Sequence, residues 1–479
     1  MPFAFLLRVS LCLWVASCSA GTTASPAVEA TLARSGKTRW QIYVPLPATL
    51  VERFAAREFE RYFAQITGAH LKPTTRSNGS LRVCIGLRQN LTPETAFLPP
   101  CKKGFDGYAI AVSADRIVIA GDSPRGMLYG VYDLLERLGC RWHVPTLDPR
   151  DPEVVPSHPD VRLPAGAWAE AARLELRIYN GSAFFFDLRA EQMLPQVDWA
   201  AKNRYNGISW QAHHKPGSVG EELCQMRNCG VLAALDQRGL FLHGPCHSFP
   251  YFLPTNKYFT AHLDWFGLYD GKRRPHGGEW PLVNYCWSNP EANAEFVRNV
   301  EDFLRDAPQL KILCIEWIDG GVVCACDRCR QRGAANLVID LFNGLSERLA
   351  TNFPAVRLES VVGYAPIEQP PTAAKPNGKW QALYAHWGRH HDTAYGDEGY
   401  PRWAELNQWR ALFPRFEVCS YYAAASHQPF NGPPFLHAVR ADTDFLVRQS
   451  MTGAYVLQYP HGFWWNYAFN LSAAGLYAY

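Results

Sequence analysis

The spacing of hydrophobic residues in the first third of the chain predicts a small domain of mixed secondary structure. A run that begins at Thr49 has apolar residues at the period of an amphipathic helix. They are Val51, Phe54, Phe59, Phe63 and Ile66. Short apolar runs typical of strands follow at 81–85, 108–112 and 117–120. A second helix begins at the capping pair Asp122-Ser123 and stops at Gly139. The pattern predicts a small α+β sandwich domain over residues 29–160.

A Pro- and Asp-rich segment at 145–164 is followed by strand-like runs that alternate with helical stretches. The runs lie at 174–179, 207–210, 240–243, 310–315, 357–363, 381–386, 416–421 and 453–458. Strands that alternate with helices pair in parallel, and eight of them close into a barrel. The predicted fold class is therefore α/β, with a (β/α)8 TIM-type barrel over residues 165–479 preceded by the small α+β sandwich domain.

The charge pattern excludes one class of partner. The formal net charge is +3, and Lys272-Arg273-Arg274 is among the few short basic runs. Binding to nucleic acid needs a concentrated face of Lys and Arg to neutralise phosphates. We therefore expect no nucleic-acid partner.

The N-terminus predicts export. Arg8 precedes an apolar run at 9–15, which is too short to span a bilayer. The run ends in Val15-Ala16-Ser17-Cys18, which resembles a bacterial lipobox, where the cysteine becomes the lipidated first residue of the mature protein. We predict a signal peptide at 1–18 and a lipoprotein anchored to the membrane through Cys18, in the periplasm or at the cell surface. A plain cleaved signal peptide is the alternative.

Aromatic and polar residues gather where the predicted barrel strands end, which is where such barrels carry their reactive groups. These candidate substrate-binding residues are Trp210, His213, His243, His247, Trp317, Tyr364, His386, Trp387, Tyr421, Tyr422, Tyr459 and His461. Sugars present apolar C–H faces and many hydroxyls, so their sites combine flat rings with hydrogen-bonding groups. The pattern predicts an oligosaccharide or glycan as the substrate.

Glu316 and Asp319, at the end of the fourth predicted strand, are the candidate catalytic carboxylates. Glycoside hydrolysis needs one acid to protonate the leaving oxygen and a second group at the anomeric carbon. Residues three apart in a strand face opposite ways, so the pair Gly320-Gly321 has to turn the chain for the two to share a site. We predict that one of them is the general acid. The alternative is that Asp319 only organises the turn.

The spacing Cys324-x-Cys326-x-x-Cys329 is typical of a metal site, since three such thiolates bind Zn²⁺ tetrahedrally with a fourth Cys or His. The candidate fourth ligands are Cys224, Cys229 and Cys246. A structural zinc ion, disulfides to Cys224 and Cys229, and free thiols are all compatible with the spacing. No cofactor for catalysis is expected, because the local residues lack a set of His and carboxylate ligands with an open position.

Motifs in the first region resemble a known carbohydrate-active family. They are Asp106-Gly107-Tyr108, Gly121-Asp122-Ser123-Pro124-Arg125-Gly126, Tyr129-Gly130-Val131-Tyr132 and Leu134-Leu135. Together they resemble the N-terminal domain that precedes the barrels of α-glucuronidases and β-N-acetylhexosaminidases.

The barrel region carries a second set of motifs. It comprises His243, His247-Ser248-Phe249, Leu253-Pro254, Tyr258-Phe259, Gly271-Lys272-Arg273, Cys286-Trp287-Ser288-Asn289-Pro290-Glu291, and Asp319-Gly320-Gly321 with Cys324, Cys326 and Cys329. It resembles a large bacterial family of uncharacterised, glycoside-hydrolase-like domains, one branch of which consists of endo-β-N-acetylglucosaminidases that release N-glycans. The resemblance implies a hydrolase that acts on a glycan, and His247 and Asp319 carry over by motif position.

The chain departs from that family at three positions. The family tends to have an acidic residue at the position of Ser420, an acidic or amide residue at that of Gln458, and a small polar residue at that of Glu316. We expect a glycoside hydrolase. A non-catalytic surface glycan-binding lipoprotein with a degenerate barrel and an extracellular scaffold are the alternatives.

Overall fold

The computed structural model describes residues 29–76, 79–92, 94–100, 102–146, 153–181, 190–211, 218–276, 281–424, 435–459 and 464–479. A small N-terminal α/β domain precedes a closed barrel of eight parallel strands. This architecture confirms the predicted fold class.

The N-terminal domain is built on a mixed sheet with the strand order β3-β2-β4-β6-β5-β8, and β1 pairs with β7 beside it. Its strands are β1 (Glu29–Ala33), β2 (Gln41–Tyr43), β3 (Lys72–Thr74), β4 (Arg82–Leu87), β5 (Phe105–Val112), β6 (Arg116–Gly121), β7 (Val161–Pro164) and β8 (Gly166–Ala172). Its helices are α1 (Leu50–Thr67) and α2 (Pro124–Arg137). The sheet therefore takes in a strand that lies beyond residue 160, where the sequence pattern ended the domain.

Helix α1 begins at a capping box, which also fastens it to the sheet. The hydroxyl of Thr49 accepts a hydrogen bond from the Glu52 backbone N–H at 3.1 Å, and Glu52 Oε2 accepts one from the Thr49 N–H at 2.7 Å. Two orphan donors of the first turn are thereby satisfied. Glu52 Oε1 also accepts the backbone N–H of Leu87 at the end of β4, at 3.0 Å. One buried carboxylate thus fixes both the start of the helix and its position on the sheet.

The barrel closes in the order β10-β11-β14-β15-β16-β17-β18-β9, because β9 pairs with both β10 and β18. Its strands are β9 (Leu176–Asn180), β10 (Gly207–Ser209), β11 (Phe241–Cys246), β14 (Leu310–Ile315), β15 (Arg357–Val362), β16 (Gln381–Ala385), β17 (Phe416–Ala424) and β18 (Gly453–Tyr459). Each of the eight predicted runs overlaps one of these strands. A short hairpin, β12 (Leu268–Tyr269) with β13 (Lys272–Arg273), follows β11 in the chain.

Helices surround the barrel between successive strands. They are α3 (Ala190–Lys202), α4 (Ser218–Asn228), α5 (Val231–Arg238), α6 (Phe249–Phe252), α7 (Thr255–Tyr258), α8 (Pro290–Asp306), α9 (Asp327–Arg332), α10 (Ala334–Asn352), α11 (Trp403–Leu412), α12 (Leu436–Arg448) and α13 (Trp464–Ala478). Helix α8 shows why the sequence folds this way locally. Asn289 caps its first backbone N–H groups, Pro290 occupies the first helical position, and Phe296 and Val300 bury its apolar face.

A buried ion pair joins the N-terminal domain to the barrel. Asp106 accepts hydrogen bonds from Arg125 at the start of α2 and from Arg177 on β9, at 2.9 and 2.7 Å. Burial opposes the ionisation of Asp106, but the two guanidinium groups hold its pKa well below the usual range. Gly126 is required next to this contact, because a Cβ there would lie 2.5 Å from the carbonyl oxygen of Gly107. Helix α2 can therefore approach the Asp106 turn closely enough for Arg125 to reach it.

The barrel interior holds a second buried charge network. His243 on β11 donates to Glu359 Oε1 on β15 at 2.7 Å and to the Ser209 hydroxyl at 2.9 Å. The Gln381 amide bridges Glu359 and Glu417 at 2.5 and 2.6 Å. Burial opposes the charge on His243, but Glu359 raises its pKa to about 9. The structure therefore places His243 inside the barrel, fully buried and committed to these contacts, and its role as a substrate-binding residue stays a prediction.

Within this network the pKa values of Glu359 and Glu417 are shifted in opposite directions. Burial disfavours the charge on Glu359, but the positive charge of His243 and its hydrogen bonds keep the pKa of Glu359 below the usual value. For Glu417, burial and the charge of Glu359 both raise the pKa well above the usual value. One positive and one negative charge therefore share the interior, with a neutral Glu417 beside them.

We predict that Asp106→Asn lowers the free energy of unfolding by about 3–5 kcal/mol, because it leaves the buried Arg177 without its counter-charge. Chemical denaturation of the full chain measures this change. Asp302→Asn serves as the control, since Asp302 forms only an exposed ion pair with Arg305 and should have little effect. An Asp106→Asn variant with an unchanged midpoint would contradict the assignment.

We predict that the contribution of His243 to stability depends on pH. Because the folded protein raises its pKa to about 9 from an unfolded value of about 6.5, the contribution is complete below pH 6.5 and is lost as the pH rises through 9. The free energy of unfolding, measured between pH 6 and 10, should lose this component in His243→Gln. His70→Gln, at an exposed histidine, is the matched control. Parallel profiles for wild type and His243→Gln would refute the prediction.

Candidate active site

The ends of β11 and β14 bring the predicted site residues together. The two strands are neighbours, with Cys246 opposite Ile315, so the next residues along each chain are His247 and Glu316. The backbone N–H of Glu316 continues the ladder by donating to the Cys246 carbonyl at 3.0 Å. Parallel pairing in this register therefore places both side chains at one rim of the barrel, the end formed by the carboxyl termini of its strands.

Glu316 is a buried carboxyl group at that rim. Its side chain is 5% exposed, and Oε1 lies 3.6 Å from Nδ1 of His247. That same nitrogen lies 2.9 Å from the backbone carbonyl of Trp317, to which it donates. Burial raises the pKa of Glu316 well above its usual value, and negative charge on Cys246, Asp319 and Glu359 adds to the effect. Burial and these neighbouring charges therefore favour the protonated form of the Glu316 side chain.

Asp319 is exposed and lies in the turn that follows Glu316. Gly320 takes a left-handed conformation with φ of 64°. The chain changes direction there, as the pair Gly320-Gly321 predicted. Asn284 fixes the turn, since its Oδ1 accepts the Ile318 N–H at 3.0 Å. This positioning role of Asn284 was not predicted, because Asn284 is distant in sequence from the turn.

Tyr364, just after β15, contacts Asp319 and lies next to His247. Its hydroxyl donates to Asp319 Oδ1 at 2.5 Å, and its ring lies 6.5 Å from that of His247. Burial raises the pKa of Tyr364, and the negative charge of Asp319 contributes in the same direction. His247, Glu316, Asp319 and Tyr364 thus form one group, which we call the rim cluster.

An exposed aromatic surface lies at the end of β16. Trp387 is 40% exposed and meets the ring of Tyr421 edge-on, with the centroids 5.1 Å apart. His386 is half-buried, and its Nδ1 lies 2.8 Å from the Tyr400 hydroxyl. The loop is held by a buried ion pair between Arg389 and Asp442, at 2.7 Å. Trp387 is therefore a partly exposed aromatic side chain on a loop that this ion pair holds in place.

Three further aromatic residues of the prediction are buried and committed to internal hydrogen bonds. The indole of Trp210 donates to Glu222 at 2.6 Å, that of Trp317 to the Ala365 carbonyl at 2.8 Å, and the hydroxyl of Tyr422 to Asp442 at 2.6 Å. An aromatic residue at a strand end can pack inward as readily as face the rim, and the role of these three residues as sugar contacts stays a prediction. His213, His461 and the side chain of Tyr459 lie outside the described residues.

Two of the three positions where the chain departs from the family pattern, Ser420 and Gln458, are buried on the same side of the barrel. Gln458 accepts a hydrogen bond from the Tyr179 hydroxyl at 2.6 Å, and Ser420 lies on the neighbouring strand β17. They belong to the barrel wall on the side of β17, β18 and β9. The carboxyl groups of the rim cluster lie on β14 and its following turn instead.

In the structure a fourth thiol lies next to the three cysteines of the motif, and it is none of the three cysteines predicted as the fourth ligand. Cys286 lies beside Cys324, Cys326 and Cys329, whereas Cys224 is on the exposed surface of α4. Cys229 lies outside the group, and Cys246 lies inside the barrel with His243 and Cys314. The predicted fourth ligands are therefore wrong. Cys286 was present in the second family motif, and this was the one signal in the sequence that could have identified it.

Comparisons with known proteins agree with the fold. Among solved structures, the chain is similar to BtGH115A, a family GH115 4-O-methyl-α-glucuronidase with specificity for decorated arabinogalactans, with a TM-score of 0.62 and 13% identity over 93% of this chain and 57% of that one. It is also similar to CpGH84B, with a TM-score of 0.58 and 10% identity over 93% and 68% of the two chains. A chitobiase of Flavobacterium johnsoniae gives a TM-score of 0.56 and 13% identity over 94% and 67%. The chain thus spans a little over half the length of the first of these enzymes.

Sequence comparisons assign the family. No curated protein matches the chain. The N-terminal region, residues 28–134, matches the model described as the N-terminus of glycosyl hydrolase family 67. Residues 150–467 match the model described as a domain of unknown function, DUF4838. Since that match covers well over half of the sequence, the chain belongs to the DUF4838 family.

Proposed function

We propose that this protein hydrolyses glycosidic bonds in a glycan, with Glu316 as the general acid and Asp319 as the second carboxylate. The observation that carries the proposal is the contrast between the two groups at one rim. Glu316 is buried and Asp319 is exposed, and Tyr364 donates to Asp319 while its ring lies 6.5 Å from that of His247, the neighbour of Glu316. Two carboxyl groups in different environments are what acid-assisted glycoside hydrolysis requires.

The environment of Glu316 suits proton donation. A general acid must hold its proton at the working pH and release it to the leaving oxygen in the transition state. Burial raises the pKa of Glu316 above its usual value and so keeps the proton on the carboxyl group. His247, 3.6 Å away, contacts this carboxyl group and is held by the Trp317 carbonyl.

Asp319 suits the second role. Its exposed carboxylate accepts the Tyr364 hydroxyl and can stabilise positive charge that develops at the anomeric carbon. It can also orient a neighbouring acetamido group of the substrate, which would then attack in place of a protein nucleophile. Trp387 offers a ring face on which a sugar would stack.

We propose a substrate that contains N-acetylglucosamine. The fold shared with a chitobiase and the motif resemblance to endo-β-N-acetylglucosaminidases support this choice. The fold shared with an α-glucuronidase supports a glycan decorated with uronic acid as the second candidate.

We predict that Glu316→Gln lowers kcat/KM by about 10²–10⁴-fold, because it removes the proton that the leaving oxygen receives. The wild-type rate should fall as the pH rises through the raised pKa of Glu316, and this alkaline limb should vanish in the variant. Digestion of a glycan library that includes both sugar classes, followed by mass spectrometry, measures the products.

Glu301→Gln is the matched control, since Glu301 is a buried glutamate on α8 that pairs with Arg348 far from the rim. Its activity should equal that of the wild type. Full turnover by both Glu316→Gln and Asp319→Asn would refute the assignment. Glycan binding without any product from the wild type would favour a binding protein instead.

We also propose that the mature protein is exported and anchored by a lipid on Cys18, as the lipobox-like sequence supports. Cys18 lies outside the described residues. Across the described parts of the chain, no helix combines the length and apolar character that a bilayer-spanning segment needs. In this proposal the acyl chains on Cys18 hold the protein at the membrane.

In a bacterial host, Cys18→Ala should move the protein from the membrane fraction to the soluble fraction, because the acylated residue is lost. Immunoblotting of the two fractions, with mass spectrometry of the N-terminal peptide, measures this. Cys12→Ala, inside the signal sequence, is the control and should stay in the membrane fraction. Wild-type protein found only in the soluble fraction would contradict the anchor.

A further inference from the structure

Four cysteines from two separate stretches of the chain converge close to the Asp319 turn. Cys286 precedes α8, Cys324 and Cys326 follow the turn, and Cys329 lies on α9. All four sulfur atoms lie within 4.8 Å of one another. Cys286 Sγ is 3.7 Å from Cys326 Sγ and 3.8 Å from Cys329 Sγ.

These separations match the edges of a metal-centred tetrahedron. With Zn–S bonds of about 2.3 Å, sulfur atoms at the corners of a tetrahedron lie about 3.8 Å apart. A disulfide would bring two of them to about 2.05 Å. The observed arrangement is therefore that of four ligands around a common centre.

The surroundings of the four sulfur atoms supply hydrogen-bond donors suited to thiolates. Cys324 Sγ accepts from the Leu268 backbone N–H at 3.2 Å and from Arg273 at 3.6 Å, both on the β12–β13 hairpin. The Ser288 hydroxyl lies 3.1 Å from Cys329 Sγ and 3.6 Å from Cys326 Sγ. Such outer contacts orient ligands, and the arginine offsets the negative charge of a tetrathiolate centre.

We propose that Cys286, Cys324, Cys326 and Cys329 bind one zinc ion as a structural site. Four thiolates in tetrahedral geometry select a soft metal and fill every coordination position. The site is therefore closed, and it holds the chain together rather than activating water. This proposal does not depend on the proposed hydrolase activity.

The site fastens the turn that carries Asp319. Asn284, two residues before Cys286, accepts the Ile318 N–H at 3.0 Å and donates to the Val322 carbonyl at 3.3 Å. A Cβ at Gly321 would lie 2.8 Å from the Asn284 amide, so the two segments are in close contact. Zinc would bind Cys286 on one segment and Cys324 on the other, and so close a short ring around the turn.

The test is the metal content of the full chain, purified without chelator or reductant. Elemental analysis should give about one zinc per chain for the wild type and less than a tenth of that for Cys286→Ser and Cys329→Ser. Cys224→Ser, at an exposed cysteine outside the group, should keep its zinc. Stoichiometric iron in place of zinc would overturn the identity of the metal.

A second measurement on the wild type keeps the proposal testable if the variants fail to fold. Titration with a mercurial reagent should release one zinc ion as four thiols react. Alkylation and peptide mass spectrometry of the denatured protein, with chelator added, should find all four cysteines unlinked. Metal-free protein in which these cysteines form disulfides would overturn the site.

Discussion

Closure of the parallel sheet is the constraint on which the rest of the structure depends. Because β9 pairs with β10 on one side and with β18 on the other, every barrel strand has two neighbours. All the strands then point the same way, and their carboxyl ends form one rim. The register of β11 against β14 alone brings His247 next to Glu316, although 69 residues separate them in the numbering. Side chains that are distant in sequence thus reach one site without any contribution from a flexible loop.

The pKa values of two buried carboxyl groups in the barrel are shifted in opposite directions. This difference distinguishes Glu359, in the barrel interior, from Glu316, at the candidate site. Glu359 sits inside the cylinder with His243 as its partner and stays charged. Glu316 lies at the rim with a histidine 3.6 Å away and with other acidic groups nearby, and its pKa is raised well above the usual value. Burial acts on both residues in the same direction. The neighbouring charge decides the outcome, and this is why only one of them is suited to proton donation.

The sequence predicted the strands well because their apolar runs are short, regular and separated by helical stretches. It predicted poorly wherever a residue's partner is distant in the chain. Cys286 and Asn284 have no local feature that connects them to the turn at Asp319. Strand β8 reads GAWAEAA, with small residues in place of branched ones, so its propensity is weak, and pairing with β5 gives it its conformation. The inward packing of Trp210 and Trp317 likewise depends on the tertiary structure.

The contact of Asp106 with Arg125 and Arg177 bears on how such proteins are assembled in evolution. Two of its members, Asp106 on β5 and Arg125 on α2, belong to the small domain, and the third, Arg177, lies on the first strand of the barrel. If such a barrel were fused to an unrelated N-terminal domain, the guanidinium group of Arg177 would be left buried without its counter-charge. Selection would therefore act on the N-terminal domain and the barrel as one unit. New substrate preferences would arise by substitutions at the opposite end of the barrel.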